Sequence, residues 1–156
     1  MALAIGQKAP AFTLFSSENK PVSLSDYAHK NVVLLFFPMA FTSVCTAELC
    51  EMRDNLHTYT NLNADVVAIS VDSPFTLAKF KEEQSLPFAL LSDFNKDVSA
   101  AYGALYENFV MNMKGVSKRA AFVIDQNDTI QYAEVLENAG NVPDFEQIKA
   151  ALAGLN

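Results

Sequence analysis

The segment Val32 to Arg53, VVLLFFPMAFTSVCTAELCEMR, decides the fold. It begins with an unbroken apolar run, Val32 to Phe37, in which β-branched and aromatic residues are frequent. Such a run is typical of a strand buried on both faces, in the middle of a parallel or mixed sheet. Because proline cannot donate to the strand ladder, Pro38 ends the strand and starts a turn.

A helix is predicted to follow this turn, with Thr42 or Ser43 able to cap its first residues. The residues after the cap favour helix, and the pattern predicts that it continues to about Thr60. Cys45 therefore falls in the first helical turn. The apolar stripe of this helix consists of Leu49, Met52 and Leu56.

The position of Cys45 has a chemical consequence. The first backbone N–H groups of a helix lack partners, and together with the positive end of the helix dipole they stabilise a thiolate over a thiol. A cysteine in that position is a nucleophile near neutral pH. The alternative is that Cys45 is a small buried apolar side chain, as most free cysteines are.

Composition limits the classes of function. The chain of 156 residues is long enough for one domain, taken here as residues 1–156, with a full apolar core. Its net charge of -7 argues against nucleic acid as a partner, because no basic stripe is present to neutralise phosphates. No signal peptide and no apolar run of membrane-spanning length is found, so a cytoplasmic location without a membrane partner is expected.

The remaining pattern predicts an α/β sandwich with a mixed central sheet flanked by helices. Segment 105–117 has no clear period. The predicted strands are an N-terminal hairpin of Phe12–Phe15 and Val22–Leu24, then Val66–Val71, Ala89–Leu91, Ala120–Asp125 and an antiparallel Thr129–Val135. The other predicted helices are one opened by Ser73 and Pro74 with Phe75, Leu77 and Phe80 as apolar anchors, Asn95–Tyr102, and one opened by Pro143.

Two segments carry a family resemblance. The sequence PMAFTSVC, from Pro38 to Cys45, resembles the P-x-x-x-T-x-x-C signature of the peroxiredoxins. The sequence KRAAFVID, from Lys118 to Asp125, resembles their later segment in which an arginine precedes a strand. The predicted order of elements is similar to the thioredoxin-like fold of that family over nearly the full length.

The resemblance implies a thiol peroxidase in which Cys45 attacks the O–O bond of a peroxide and becomes a sulfenic acid. It implies that Thr42 presents its hydroxyl to thiolate and peroxide, and that Arg119 supplies charge-assisted donors to the thiolate and the leaving oxygen. Pro38, which has no N–H, would shield the pocket. Glu48 could accept from Arg119 and fix its orientation.

Each of these neighbours also has a purely structural interpretation. Thr42 can be a helix cap, Pro38 a strand terminator, and Glu48 an acid that is favourable near any helix N-terminus. Arg119, taken alone, can be a surface cation beside Lys118. Only their occurrence together with Cys45 favours the catalytic interpretation.

Cys50 follows Cys45 by five positions, which is the spacing of the resolving cysteine in many Q-type peroxiredoxins, the bacterioferritin comigratory proteins. The rest of the motif resembles the E-type alkyl hydroperoxide reductases, which are often one-cysteine enzymes. Five residues along an intact helix separate Cα atoms by about 8 to 9 Å. A disulfide needs roughly 4.4 to 6.8 Å, so pairing requires unwinding; otherwise Cys50 packs beside Leu49.

Three other functions remain open. A metal site would need ligands beyond the two thiols, and the only soft candidates are His29 and His57, so no metal or other cofactor is expected. A thioredoxin-type oxidoreductase uses C-x-x-C, whereas here four residues separate the cysteines. A non-catalytic interaction or holdase module would carry an inert Cys45.

The resemblance also implies partners. The substrates would be hydrogen peroxide and organic hydroperoxides, and turnover would require thioredoxin or a glutaredoxin-like dithiol as reductant. E-type relatives suggest a homodimer built across the loops near the active site, whereas Q-type relatives are often monomers. Phe41 could line the peroxide pocket or such an interface, while the other phenylalanines of the apolar segments are mostly core.

Overall fold

A seven-stranded mixed sheet forms the centre of the computed structural model, which describes residues 3–155. The strands are β1 (Thr13–Ser16), β2 (Pro21–Ser23), β3 (Asn31–Phe36), β4 (Ala64–Ser70), β5 (Ala89–Ser92), β6 (Leu105–Tyr106), β7 (Val116–Ser117), β8 (Arg119–Ile124) and β9 (Ile130–Leu136). The order in the sheet is β2-β1-β5-β4-β3-β8-β9, and β6 and β7 form a separate pair.

Helices cover the sheet. They are α1 (Ser43–Asp54), α2 (Leu56–Asn61), α3 (Pro74–Gln84), α4 (Asp97–Ala101) and α5 (Phe145–Ala153). Two short 3-10 turns are formed by Leu24–Tyr27 and Val110–Asn112. Within residues 3–155, no helix combines the length and the apolar character that crossing a membrane requires.

Strand β3 lies between β4, which is parallel to it, and β8, which is antiparallel. All six of its residues are buried, as predicted for a strand covered on both faces. Alternation places Val33 and Leu35 in a core with side chains of α1, α3 and α5, and Leu34 and Phe36 in a second core around Tyr102. The α/β class, the mixed sheet and the N-terminal hairpin of β1 and β2 are therefore confirmed.

The helix that contains Cys45 is shorter than predicted. It ends at Asp54, because Asn55 leaves helical geometry (φ -112°, ψ 14°) and its side-chain amide donates to the carbonyl of Glu51 at 2.9 Å. Asparagine competes in this way with the regular helical bonds. The stretch up to Asn61 is a separate helix, α2.

The anchors of α3 and the start of α5 also differ from the predictions. Phe75 is 74% exposed, because it lies on the side of α3 opposite to the buried Leu77 and Phe80. Pro143 precedes α5 and does not open it. The cap is Asp144, whose carboxylate accepts from the backbone N–H of Gln147 at 3.2 Å.

Segment 105–117, in which no period was predicted, forms the two-residue strands β6 and β7. They are joined by a turn in which Met111 and Asn112 both have left-handed backbone angles, with φ of 57° and 60°. Strands of two residues are too short to produce a recognisable alternation. The turn therefore has no pattern that sequence analysis could use.

Candidate active site

Cys45 lies where β3 passes into α1, close to the centre of the sheet. Thr42 is the N-cap residue, so Cys45 is the third residue of α1, and its first-turn position is confirmed. The residue is 1% exposed. A sulfur at this place lies at the positive end of the helix dipole and is shielded from bulk water.

The Thr42 hydroxyl does not cap the helix. It donates to the carbonyl of Met39 at 2.7 Å and accepts no bond from the first turn of α1, so the predicted side-chain cap is wrong. The turn before α1 takes this bond because the carbonyl of Met39 lies within reach. Since its proton is engaged and Thr42 is exposed, its oxygen keeps lone pairs that can accept from a small molecule.

Arg119 reaches Cys45 through the topology of the sheet. It is the first residue of β8, and β8 pairs with β3 so that Ala120 lies opposite Phe36, the last residue of β3. Antiparallel pairing therefore brings the start of β8 to the end of β3. From there the Nη1 atom of Arg119 donates to Cys45 Sγ at 3.3 Å and to Glu48 Oε1 at 2.6 Å.

The other edge of the guanidinium is held by backbone. Nη2 and Nε of Arg119 both donate to the carbonyl of Ala139, at 2.8 and 3.2 Å. Burial opposes the charge, but attraction to Glu48 and to Cys45 raises the pKa of Arg119. The contact with Ala139 could not be predicted from the sequence, because a backbone carbonyl leaves no side-chain signal.

Glu48 is the second side chain that accepts from Nη1 of Arg119, and it lies one helical turn after Cys45. It is 1% exposed, and burial raises the pKa of its carboxyl to about 7, although Arg119 opposes that shift. Its Oε2 atom has no hydrogen-bond partner among residues 3–155. The Glu48 carboxyl, which lies across Arg119 from Cys45, therefore gains or loses its negative charge near neutral pH.

The loop between β3 and α1 is held from two sides. Asp72, just after β4, accepts from the backbone N–H of Ala40 at 2.8 Å. Phe41 adopts a left-handed backbone (φ 67°) and packs edge-on against Phe80, with ring centroids 5.1 Å apart. Phe41 is 49% exposed, and Pro38 is buried. Asp72 was not recognised from the sequence, because its effect depends on the neighbouring strand.

Cys50 is not part of this group. It lies further along the same continuous helix, is half-buried, and its Sγ donates to Gln84 Oε1 at the end of α3, at 3.4 Å. Both thiols are free. The structure thus brings together Cys45, Glu48 and Arg119, and places Cys50 against another helix.

Comparisons with known proteins find relatives over most of the chain. A model of the AhpC/TSA family matches residues 5–133. Alkyl hydroperoxide reductase E of Mycobacterium tuberculosis is 38% identical over 156 residues, which cover 98% of each chain. Peroxiredoxin Bcp of Bacillus subtilis is 38% identical over 128 residues, 81% of each chain. The crystal structure of peroxidoxin BcpB from Mycobacterium tuberculosis is similar with a TM-score of 0.87 and 28% identity, covering 99% of both chains.

Proposed function

Because the chain belongs to the AhpC/TSA family and is a peroxiredoxin, a thiol peroxidase, we propose that Cys45 is its peroxidatic nucleophile. One observation carries this assignment. The buried sulfur of Cys45, in the first turn of α1, lies 3.3 Å from the guanidinium of Arg119. Arginine and the helix N-terminus both favour the thiolate, which is the reactive form.

The reaction follows from these positions. The electron pair of the Cys45 thiolate forms an S–O bond, and the O–O bond breaks, with its pair leaving on the distal oxygen. That oxygen takes up a proton and departs as water or an alcohol, and Cys45 becomes a sulfenic acid. Arg119, held in place by Glu48 and Ala139, faces the negative charge as it moves from sulfur to oxygen.

Thr42 and Pro38 complete the proposed site. Since the Thr42 hydroxyl gives its own proton to Met39, its oxygen is free to accept the proton of a hydroperoxide and so orient the O–O bond. Pro38 is buried at the end of β3 and offers no competing N–H. Both roles place the peroxide between the loop and the Cys45 sulfur.

Cys50 is proposed to resolve the sulfenic acid as an intramolecular disulfide. The support is its place on the same helix and its half-buried, reduced thiol, which remains reachable when the first turns of α1 unwind. A sulfenic acid condenses readily with a nearby thiol. An external dithiol, thioredoxin or a glutaredoxin-like protein, would then reduce the disulfide in the cytoplasm.

Oxidation by one equivalent of hydrogen peroxide tests this assignment through intact mass and free-thiol counts within seconds. Wild type is expected to lose two hydrogens and both thiols. Cys50→Ser is expected to gain one oxygen and keep it, because no second thiol is in reach. One added oxygen in both proteins would instead identify a one-cysteine enzyme with an external resolving thiol. Mass is the suitable probe because the chain has no tryptophan.

A homodimer is proposed across the surface beside the loop that precedes α1. Phe15, Phe75 and Phe94 are 57%, 74% and 60% exposed, and Phe15 and Phe94 line one groove of about 480 Å³ with Pro74. Exposed apolar groups concentrated in this way mark interfaces. Asp72, which accepts from the backbone N–H of Ala40 in the loop before α1, directly precedes Ser73 in the lining of this groove and so links the groove to the active-site loop.

Replacement of both Phe75 and Phe94 by glutamate is therefore expected to give a monomer, because the interface would have to bury two charges from each protomer. Sedimentation equilibrium of the reduced protein at micromolar concentrations measures the change. Met111→Glu is the matched control, since Met111 is 83% exposed in the β6–β7 turn. A dimer that survives the double replacement but not Met111→Glu would place the interface at that turn instead.

A further inference from the structure

The second half of α1 is docked on the end of α3. Arg53 Nη1 donates to the backbone carbonyl of Gln84 at 2.6 Å, and Gln84 is the last residue of α3. The last carbonyls of a helix lack partners within it, and the negative end of its dipole attracts a cation. Asp54 orients the guanidinium by accepting from its Nε at 2.9 Å. Arg53 is thus a cap supplied to α3 by another helix.

The two halves of α1 are attached to the protein in different ways. Leu49 and Met52 are completely buried, and with Arg53 they fix the second half. Ahead of them, Thr42, Ser43 and Ala47 are exposed. The side-chain bonds that hold the first half to the sheet are those of Cys45 and Glu48 with Arg119.

Peroxide chemistry weakens the attachment of the first half. A thiolate accepts from Arg119 a bond in which donor and acceptor are both charged, whereas in the bond to a neutral sulfenic acid only Arg119 carries a charge, so that bond is weaker. The contact between Arg53 and Gln84 involves no reacting atom and is unchanged by oxidation. The first turns of α1 therefore become easier to unwind at the moment when Cys45 has to leave its pocket.

We propose that Arg53, bound to the carbonyl of Gln84, is a positioning residue for disulfide formation. It holds Cys50 at the end of α3 while the first half of α1 unwinds and carries Cys45 to it. This proposal rests on the resolving role assigned to Cys50. The Cys50 thiol loses its proton, its sulfur bonds to the Cys45 sulfur, and the sulfenic S–O bond breaks. The oxygen leaves as water, and no other oxidant is needed.

Arg53→Ala tests the proposal after one equivalent of hydrogen peroxide, with rapid quenching and intact mass. Addition of one oxygen is expected at the wild-type rate, because Arg53 is remote from Cys45. Conversion of that species to the disulfide is expected to be about tenfold slower, since the charge-assisted bond that holds Cys50 is lost. Arg53→Lys, which retains a cationic donor, should recover part of the rate.

Gln84→Ala is the matched control. It removes the side-chain amide that contacts Cys50 but leaves the backbone carbonyl that Arg53 binds, so disulfide formation is expected within about twofold of wild type. Arg53→Ala that forms the disulfide at the wild-type rate would overturn the proposal. So would Gln84→Ala that is as slow as Arg53→Ala. A wild type that forms no disulfide would instead refute the resolving role of Cys50.

Hydrogen exchange on the wild-type protein gives a second test that needs no variant. Oxidation is expected to speed the exchange of amides in residues 46–52, whose acceptors are carbonyls of the loop and the first half of α1, and to leave those of residues 53–55 protected, because their acceptors lie in the second half. Faster exchange in both segments would show that the second half of α1 is not held and would overturn the proposal.

Discussion

Replacement of Cys45 by serine is expected to abolish peroxide reduction, lowering the second-order rate constant by 10⁴-fold or more, on the order of what removing a catalytic nucleophile causes. A serine hydroxyl at this place stays protonated at neutral pH, so no anion attacks the O–O bond. Because that hydroxyl can still accept from Arg119, the variant is expected to fold. Competition against a reference peroxidase measures the rate constant.

Cys50→Ser is the matched control for this experiment, since it removes the other thiol from the same helix. It is expected to keep the rate of the first oxidation and to lose only the intramolecular disulfide. Peroxide reduction by Cys45→Ser at the wild-type rate would contradict the assignment of the nucleophile. Loss of the first oxidation in Cys50→Ser, with Cys45 intact, would assign the peroxidatic role to Cys50 and the resolving role to Cys45.

Arg119→Ala is expected to lower the rate constant for peroxide by about 10² to 10³, the cost of removing a fixed donor from a developing charge. The same replacement leaves the buried Glu48 carboxyl without its cation, and because that carboxyl can take up a proton near neutral pH, the fold is expected to be destabilised by less than the roughly 3 to 5 kcal/mol of an unpaired buried charge. Urea unfolding of the reduced variant measures the loss of stability and shows in which conditions the variant is folded. The rate constant for peroxide is then measured in those conditions, which separates the two effects.

Three further variants show which property of Arg119 matters. Arg119→Lys keeps the charge but cannot reach Cys45, Glu48 and the carbonyl of Ala139 together, so it should recover little of the rate. Glu48→Gln retains an acceptor for Nη1 of Arg119, so its rate constant for peroxide is expected to fall less than that of Arg119→Ala. Lys118→Ala, which removes an ion pair with Glu137 and a cation–π contact with Tyr106 but no contact with Cys45, should be near wild type. If Lys118→Ala were as slow as Arg119→Ala, general positive charge would explain the rate.

Local physics made the central part of this protein predictable. The apolar run that forms β3 is buried on both faces, and Pro38 follows its end, so the residues that form the strand can be read from the sequence. The cap position at Thr42 then decides where α1 begins, and with it the first-turn position of Cys45. These outcomes depend on hydrophobic periodicity and on the geometry of helix ends, which a few consecutive residues contain.

Long-range packing was harder to predict. The break at Asn55 depends on an amide that competes with the backbone, and the exposure of Phe75 depends on which side of α3 meets the sheet. From residues alone, Arg119 could be a surface cation, and only resemblance joined it to Cys45. The carbonyls of Ala139 and Gln84 could not be anticipated, because every residue carries the same group.

By itself, the sequence determined the strand, the turn and the helix that present Cys45, together with the α/β class, because each follows from interactions between near neighbours in the chain. The tertiary structure alone decided what surrounds the sulfur. It brought Arg119 across from β8, buried Glu48 beside it, and turned Cys50 towards α3. These contacts join residues far apart in sequence, so they form only when the sheet and its helices have packed.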